Sequence, residues 1–198
     1  MTIPDHTISL RLVDVSDAPF ILALRLSPRG RYLSPVDDDL GKQQEWIRQY
    51  KVREARGEER YFIIQHAIVG DMGTTRMCRI TATSFEWGSW ILKEDAPRES
   101  AMVSACLVHD LGLLRMKCDR AYFVVRKDNL KTIAFTRRFG ASITGEDEAN
   151  LFMAITRDEY LAVRQRVGQQ FALHPPAGVR LAVEEEADGG PAGGAEAV

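Results

Sequence analysis

The fold is decided by two stretches of sequence, FEWGSWIL at residues 85–92 and NLKTIAFTRRFGA at residues 129–141. The first is typical of a strand, and the glycine inside it, Gly88, marks a bulge or a close approach of two backbones. The second predicts a helix that Asn129 caps and that ends at Gly140, a residue type suited to the turn after a helix. It follows the apolar run AYFVV at residues 121–125, which we interpret as a buried strand.

The sequence on either side extends this pattern to a whole domain. Strands are predicted at residues 8–12, 61–65, 77–83, 86–93, 141–144 and 151–155. Helices are predicted from about residue 16, at 40–56, at 98–114, and after the capping box at 156–159. In the strand at 77–83 we place Cys78, Ile80 and Ala82 on one face, and residues 70–73 have the composition of its hairpin turn. The order βααβββαβαββα predicts an α/β fold with helices on both faces of the sheet.

Composition narrows the class of protein. A chain of 198 residues, 45% of them hydrophobic, can bury one substantial core. The net charge of −2 argues against nonspecific binding to nucleic acid. No apolar run approaches the ~20 residues that cross a bilayer, and the N-terminus lacks a secretory signal, so we expect a cytoplasmic protein that does not bind membranes. Residues 1–174 are predicted to form the domain, and 175–198, rich in Pro, Gly, Ala and Glu, a disordered tail.

Cysteine and histidine offer no sign of metal or covalent chemistry. The three cysteines, Cys78, Cys106 and Cys118, are widely spaced and form no C-x-x-C pair. The four histidines share no ligand spacing, so no metal site is expected. No cysteine has a sequence neighbour that would lower its pKa, which disfavours a covalent thioester intermediate on the enzyme.

The two deciding stretches resemble the GCN5-related N-acetyltransferase (GNAT) family. Residues 129–141 resemble the family pattern N-x-x-A-x-x-x-Y-x-x-x-G-F, with the same eleven positions from Asn129 to Gly140. Residues 86–91 resemble the E-x-G-Y-x-(I/L) strand of the RimJ/RimL-like branch. The resemblance implies a mixed six- to seven-stranded sheet whose central strands splay apart. It also implies transfer of an acyl group, most simply acetyl, from acyl-CoA to an amine.

The same resemblance assigns roles to individual residues. Glu86 matches the Glu of the strand motif and would act as general base toward the amine. Thr136 stands where the family has Tyr; a Thr hydroxyl is too weak an acid to protonate a thiolate well, so it would hold a water, or CoA would leave as a thiolate protonated from solvent. The residues that the resemblance assigns to CoA are Trp90, Ile91, Leu92, Arg98, Glu99, Ser100, Ala101, Met102, Asn129, Thr132, Phe135 and Arg138. Arg138 also suits the C-terminal end of a helix without any ligand.

The phosphate-binding loop departs from the family. GNAT enzymes carry Q/R-x-x-G-x-G/A here, whereas this chain reads RESAM at residues 98–102, without a glycine. Ser100 and Ala101 are small enough for a phosphate to approach a helix N-terminus. Arg98 would offset the charge of Glu99. We interpret the segment as a variant CoA loop.

The sequence says less about the identity of the acceptor amine than about the acyl donor. Together the departures resemble acyltransferases of bacterial surface-polysaccharide and amino-sugar pathways, whose acceptor is an amine on a nucleotide-linked deoxysugar. Arg29, Arg31 and Tyr32 would then contact its diphosphate, although a solvated loop is the slightly simpler explanation for them. Two alternatives stay open: acetylation of protein N-termini, and a degenerate domain that binds CoA or a partner without catalysis. The sequence also leaves open whether the chain forms a homodimer.

Overall fold

One mixed sheet organises the chain, with the strand order β1-β2-β3-β4-β5-β7-β6. The computed structural model describes residues 7–171. The strands are β1 (Ile8–Leu12), β2 (Arg60–His66), β3 (Gly70–Cys78), β4 (Ser84–Leu92), β5 (Arg120–Arg126), β6 (Ser142–Glu146) and β7 (Asn150–Thr156). The helices are α1 (Ala18–Leu26), α2 (Leu40–Ala55), α3 (Ser100–His109), α4 (Leu130–Arg138) and α5 (Arg157–Phe171).

The observed order of elements confirms the predicted fold class. Every pair of neighbouring strands in the described chain is antiparallel except β4 and β5, which run parallel. A parallel pair needs a crossover, and α3 supplies it. The predicted tail at 175–198 lies outside the described residues. Within residues 7–171, no helix is long and apolar enough to cross a membrane.

Each face of the sheet has its own core. On one face α3, α4 and α5 cover a large cluster that includes Trp87, Phe123 and Phe139. On the other face α1 and α2 cover a smaller cluster, in which Tyr61 and Ile63 of β2 take part. We refer to these as the α3/α4/α5 face and the α1/α2 face.

Caps delimit two helices, α4 and α5, as the sequence predicts. The side chain of Asn129 accepts a hydrogen bond from the backbone N–H of Thr132, and Gly140 after α4 has φ +100°. At the start of α5, the backbone N–H of Thr156 donates to Glu159 and that of Glu159 donates to the Thr156 hydroxyl. These reciprocal bonds confirm the predicted capping box.

The prediction for β3 was wrong by several residues. The turn lies at 67–69 rather than 70–73, and the strand ends at Cys78 instead of extending to residue 83. The His66 ring nitrogen Nδ1 accepts the backbone N–H groups of Ile68 and Val69, so this turn is held by a side chain although its own residues are apolar. Gly73 lies inside the strand, where a Cβ would come within 2.3 Å of the Ile91 carbonyl oxygen. The glycine therefore serves close packing of β3 on β4.

The prediction that residues 121–125 are buried throughout was also wrong. Ala121, Phe123 and Val125 are buried on the α3/α4/α5 face, whereas Tyr122 and Val124 are exposed on the opposite one. The helix pair α1 and α2 packs over the first strands of the sheet and leaves this part of β5 open.

The segment predicted as one helix at 98–114 consists of α3 followed by a π-helical turn, Asp110–Arg115. His109, the last residue of α3, is fully buried among the aromatic side chains of the large core. Its ring atom Nδ1 lies 2.7 Å from the Ala105 carbonyl oxygen, which can only accept, so Nδ1 carries the proton. Complete burial lowers the pKa of His109 to about 4. The next residue, Asp110, accepts hydrogen bonds from Tyr160 and Arg164 of α5.

Candidate functional site

The two parallel strands separate halfway along their length. β4 and β5 pair from Ser84 and Arg120 to Trp87 and Phe123. Beyond that point β4 continues beside β3 to Leu92, and β5 continues beside β7. A wedge-shaped gap therefore opens in the sheet, which confirms the predicted splay of the central strands.

A bulge in the β3–β4 pairing shapes the gap. The register shifts between Thr74 and Arg76, and Ser89 adopts φ +46°, a left-handed conformation uncommon outside glycine. The Thr74 hydroxyl donates to the Ser89 carbonyl oxygen at 3.1 Å. As a result Trp87 and Trp90 contact each other on the same face, with ring centroids 4.9 Å apart. A Cβ on Gly88 would meet nothing within 4 Å, so space is open beside the bulge.

Two aromatic rings line the gap on the α3/α4/α5 face. The centroids of Trp90 and Phe135 lie 4.7 Å apart, so β4 and α4 are in direct contact here. The Trp90 indole N–H donates to the Ser104 hydroxyl of α3 at 3.3 Å. Two further β4 residues were predicted to bind CoA. Leu92 packs on the same large core, and Ile91 is buried.

The N-terminus of α3 presents backbone rather than side chains. Ser100 is buried, its hydroxyl lies against the sulfur of Met72, and its N–H donates to the Pro97 carbonyl oxygen. The N–H groups of Ala101 and Met102 lie in the first turn of the helix, where no carbonyl of the same helix can accept them. An anion at this position would therefore meet backbone amides.

Charges of both signs flank that helix terminus. Arg98 is exposed and Glu99 is half-buried. Arg138 is exposed at the C-terminal end of α4, and its carbonyl oxygen accepts a hydrogen bond from Arg166.

Thr136 lies away from the open space. It is 1% exposed, and its hydroxyl points at the carbonyl oxygens of Thr132 and Ile133, 3.0 and 3.1 Å away. Met153 of β7 packs against the same oxygen. The geometry favours a packing role, with the hydroxyl proton already bound to the helix backbone.

Glu86 lies on the α1/α2 face, where the gap begins. Its Cα pairs with Cys78 of β3 and with Tyr122 of β5. The side chain is 21% exposed; its oxygen Oε2 accepts from Arg79 at 2.6 Å, and Oε1 lies 3.9 Å from the Cys78 sulfur. Burial, and then the charge of Glu86, raises the pKa of Cys78 to about 11, so this thiol stays protonated. The carboxylate thus has one oxygen beside a strong partner and one beside a weak donor.

The loop between α1 and α2 approaches the other end of β4, just beyond Leu92. A 3-10 turn, Pro28–Tyr32, places Arg29 so that it donates to the Glu94 carbonyl oxygen at 3.5 Å. A Cβ on Gly30 would come within 2.0 Å of the Arg25 carbonyl oxygen, so this turn requires glycine.

Arg31 and Tyr32 face the far end of β5. The Arg31 guanidinium stacks on the Tyr32 ring at 4.6 Å and donates to its hydroxyl. Hydrogen bonds from Arg126 chiefly, and the charge of Arg31 in part, lower the pKa of Asp128, which lies two residues after the end of β5. The three residues predicted to bind the acceptor therefore lie around the wide end of the gap, on the face of the sheet that also carries Glu86.

The family follows from these features and from comparison with known proteins. Residues 7–142 match the family model described as an acetyltransferase (GNAT) domain. The chain belongs to the GNAT acetyltransferase family. The splayed strands, the bulge and the capped helix α4 are the GNAT features that the sequence motifs predicted.

Two solved GNAT structures show how far the likeness extends. FdhC, described as a nucleotide-linked sugar GNAT, is 34% identical over 85% of this chain and 97% of its own, with a TM-score of 0.75. The spermidine N-acetyltransferase of Vibrio cholerae, solved in complex with CoA and spermine, is 20% identical over 79% of this chain and 99% of its own, with a TM-score of 0.68. At that identity the second likeness shows the fold alone. No curated protein matches the chain.

Proposed function

We propose that this protein transfers an acetyl group from acetyl-CoA to a primary amine on a nucleotide-linked amino sugar. The observation that carries the proposal is the 34% identity, over nearly the whole of its length, of a nucleotide-linked sugar GNAT. The gap between β4 and β5, with Glu86 on one side and the N-terminus of α3 on the other, supports acetyl transfer as the reaction.

The residues around the gap fit CoA. From Gly88 to Leu92 the edge of β4 has lost its β5 partner and can pair with the amides of a pantetheine arm as with an added strand. The amides of Ala101 and Met102 suit a pyrophosphate. When bound, acetyl-CoA supplies a thioester whose carbonyl carbon accepts a nucleophile.

Glu86 performs the acid–base step in this proposal. A protonated amine cannot attack, so Glu86 takes a proton from it, directly or through a water. The neutral amine nitrogen then bonds to the acetyl carbon as the carbon–sulfur bond breaks, and the nitrogen, now positively charged, releases a second proton to solvent to become the amide. The sulfur leaves as a thiolate that takes a proton from solvent, because the hydroxyl of Thr136 points into α4. Arg79, bound to one carboxylate oxygen, orients the other.

Charge at the acceptor side favours an anionic acceptor. Among the described side chains, residues 7–168, Arg29 and Arg31 form no ion pair with a carboxylate, so both guanidiniums are available to a diphosphate. A polyamine such as spermidine would meet these same cations and be repelled. The rim therefore supports the sugar-nucleotide proposal over a polyamine acceptor.

Thiol release from acetyl-CoA tests the proposal. Acceptors would be nucleoside diphosphate-linked amino sugars, spermidine and peptides with free N-termini, each at the same concentration. We expect turnover with at least one amino sugar and a product heavier by one acetyl group in mass spectrometry. Turnover with peptides alone would favour the N-terminal acetyltransferase alternative, and no binding of acetyl-CoA at millimolar concentration by calorimetry would refute catalysis.

Glu86→Gln tests the assigned base. The variant should lower kcat by about 100-fold, the lower end of what a general base contributes, while the Kd for acetyl-CoA stays unchanged. Glu45→Gln is the matched control, because Glu45 is an exposed glutamate of α2 that also pairs with an arginine, Arg48. A rate for Glu86→Gln equal to that of the control would show that another group accepts the proton.

A further inference from the structure

Part of the sheet beside Glu86 carries exposed apolar side chains. Tyr122 and Val124 of β5 and Phe152 of β7 are 40%, 46% and 37% exposed. All three project on the α1/α2 face, beyond the area that α1 and α2 cover. We call this set of three residues the apolar platform. Contiguous exposed apolar patches are uncommon on monomeric proteins and often mark binding surfaces.

Strand register places the platform directly beside the carboxylate. Tyr122 is the Cα partner of Glu86 across the parallel pair, and neighbouring strands lie about 4.8 Å apart. Val124 is the next residue of β5 on this face, and it pairs with Phe152. The platform therefore starts one strand away from Glu86 and continues along the open side of the gap.

Charged groups lie at the end of the platform farther from Glu86. Arg126 follows Val124 on the same face and forms two hydrogen bonds of 3.0 Å with Asp128. Arg31, on the turn between α1 and α2, is close enough to this ion pair for its charge to lower the pKa of Asp128. At about 3.3 Å per residue, Tyr122 and Arg126 are roughly 13 Å apart, enough for a sugar ring followed by a diphosphate.

We propose that the apolar platform binds the C–H face of the acceptor's sugar ring and selects for it. This inference rests on the proposed function and extends it to the parts of the substrate. The amine lies next to Glu86, the ring packs on Tyr122, Val124 and Phe152, and the diphosphate reaches Arg31. A deoxysugar suits this surface better than a fully hydroxylated one, because each missing hydroxyl removes a polar group that the platform cannot satisfy.

Steady-state kinetics with Tyr122→Ala and Phe152→Ala tests the assignment. Each variant should raise the KM for the amino-sugar acceptor about tenfold, the loss of one good aromatic contact, with little change in the KM for acetyl-CoA. Tyr122→Phe should behave like the wild type, because the ring and not the hydroxyl makes the contact. Leu161→Ala removes an equally exposed apolar side chain from α5 and serves as the control.

The outcomes separate this inference from the proposed function. If the wild type acetylates no nucleotide-linked amino sugar, the proposed function fails and this inference with it. If the wild type does so and both alanine variants keep the wild-type KM for the acceptor, only the platform assignment is overturned. A wild-type dimer that Tyr122→Ala converts to a monomer in sedimentation would also overturn it, because the face would then belong to an interface between two copies.

Discussion

Acid should destabilise this protein through one buried histidine. His109 lies among five aromatic rings, whose centroids range from 4.8 Å for Phe139 to 5.8 Å for Phe85. Its Nδ1 proton is bound by the Ala105 carbonyl oxygen, and Nε2 has no hydrogen-bond partner among the described residues. Protonation would place a positive charge on Nε2 in this apolar setting, which burial opposes.

The magnitude follows from the two pKa values. Burial lowers the pKa of His109 from 6.5 to about 4, so the folded state prefers the neutral ring. As pH falls below 6.5 the unfolded chain takes up a proton that the folded chain refuses, and the free energy of unfolding decreases until about pH 4. The full loss is about 3 kcal/mol, and roughly 2 kcal/mol of it is reached at pH 5.

Urea unfolding of the wild type, His109→Leu and His109→Phe at pH 7.5 and pH 5.0 measures this loss. The variants remove the titration, so the wild type should lose about 2 kcal/mol more than either variant between the two values of pH. Asp110, whose pKa burial raises, contributes with the opposite sign and is present in all three proteins, so it largely cancels. Equal losses in the wild type and both variants would refute the assignment, whatever their stabilities at pH 7.5.

Two further predictions concern the sheet and the phosphate site. Gly73→Ala should lower the free energy of unfolding by about 2 kcal/mol, because the new Cβ meets the Ile91 carbonyl oxygen. Thermal unfolding checks this, with Gly88→Ala as the control because a Cβ there meets nothing. Equal stabilities of the two variants would contradict the prediction. Glu99→Gln should strengthen CoA binding about threefold at low salt, by removing a negative charge next to the α3 N-terminus, and the gain should disappear at high salt. Calorimetry at two salt concentrations measures it, and unchanged or weaker binding at low salt would show that Glu99 points away from the phosphates.

The order of elements could be predicted from the sequence because its signals are local. The cap at Asn129, the glycine at 140 and the capping box at 156–159 each act within a few residues of themselves. β3 was misplaced for the opposite reason. Its turn at 67–69 is made of apolar residues and depends on His66. Gly73 is required because Ile91, on another strand, leaves no room for a side chain there.

The candidate site was predictable in part. The motif at 86–91 located Glu86 and the bulge, whereas the acceptor-binding role of the loop arginines stays a prediction. Tyr122 was missed because AYFVV carries no polar residue that would reveal an open face. How far α1 and α2 cover the sheet depends on packing between distant segments, which a strand's own letters do not record. The burial of Thr136 and Ser100 has the same origin, since Met153 and Met72 belong to other elements.

The parting of β4 and β5 also bears on how the chain assembles. β2, β3 and β4 follow one another as antiparallel neighbours, and β6 and β7 form a hairpin, so much of each half of the sheet can form from nearby residues. Within the sheet, the two halves pair only through a short parallel contact, from Ser84 to Trp87 on β4. This pairing can form only after the crossover through α3 has formed. The β4–β5 contact that completes the sheet during folding is thus also the place where acetyl-CoA is proposed to bind. A molecule bound across this gap would strengthen the link between two halves of the sheet whose strands pair at only four positions.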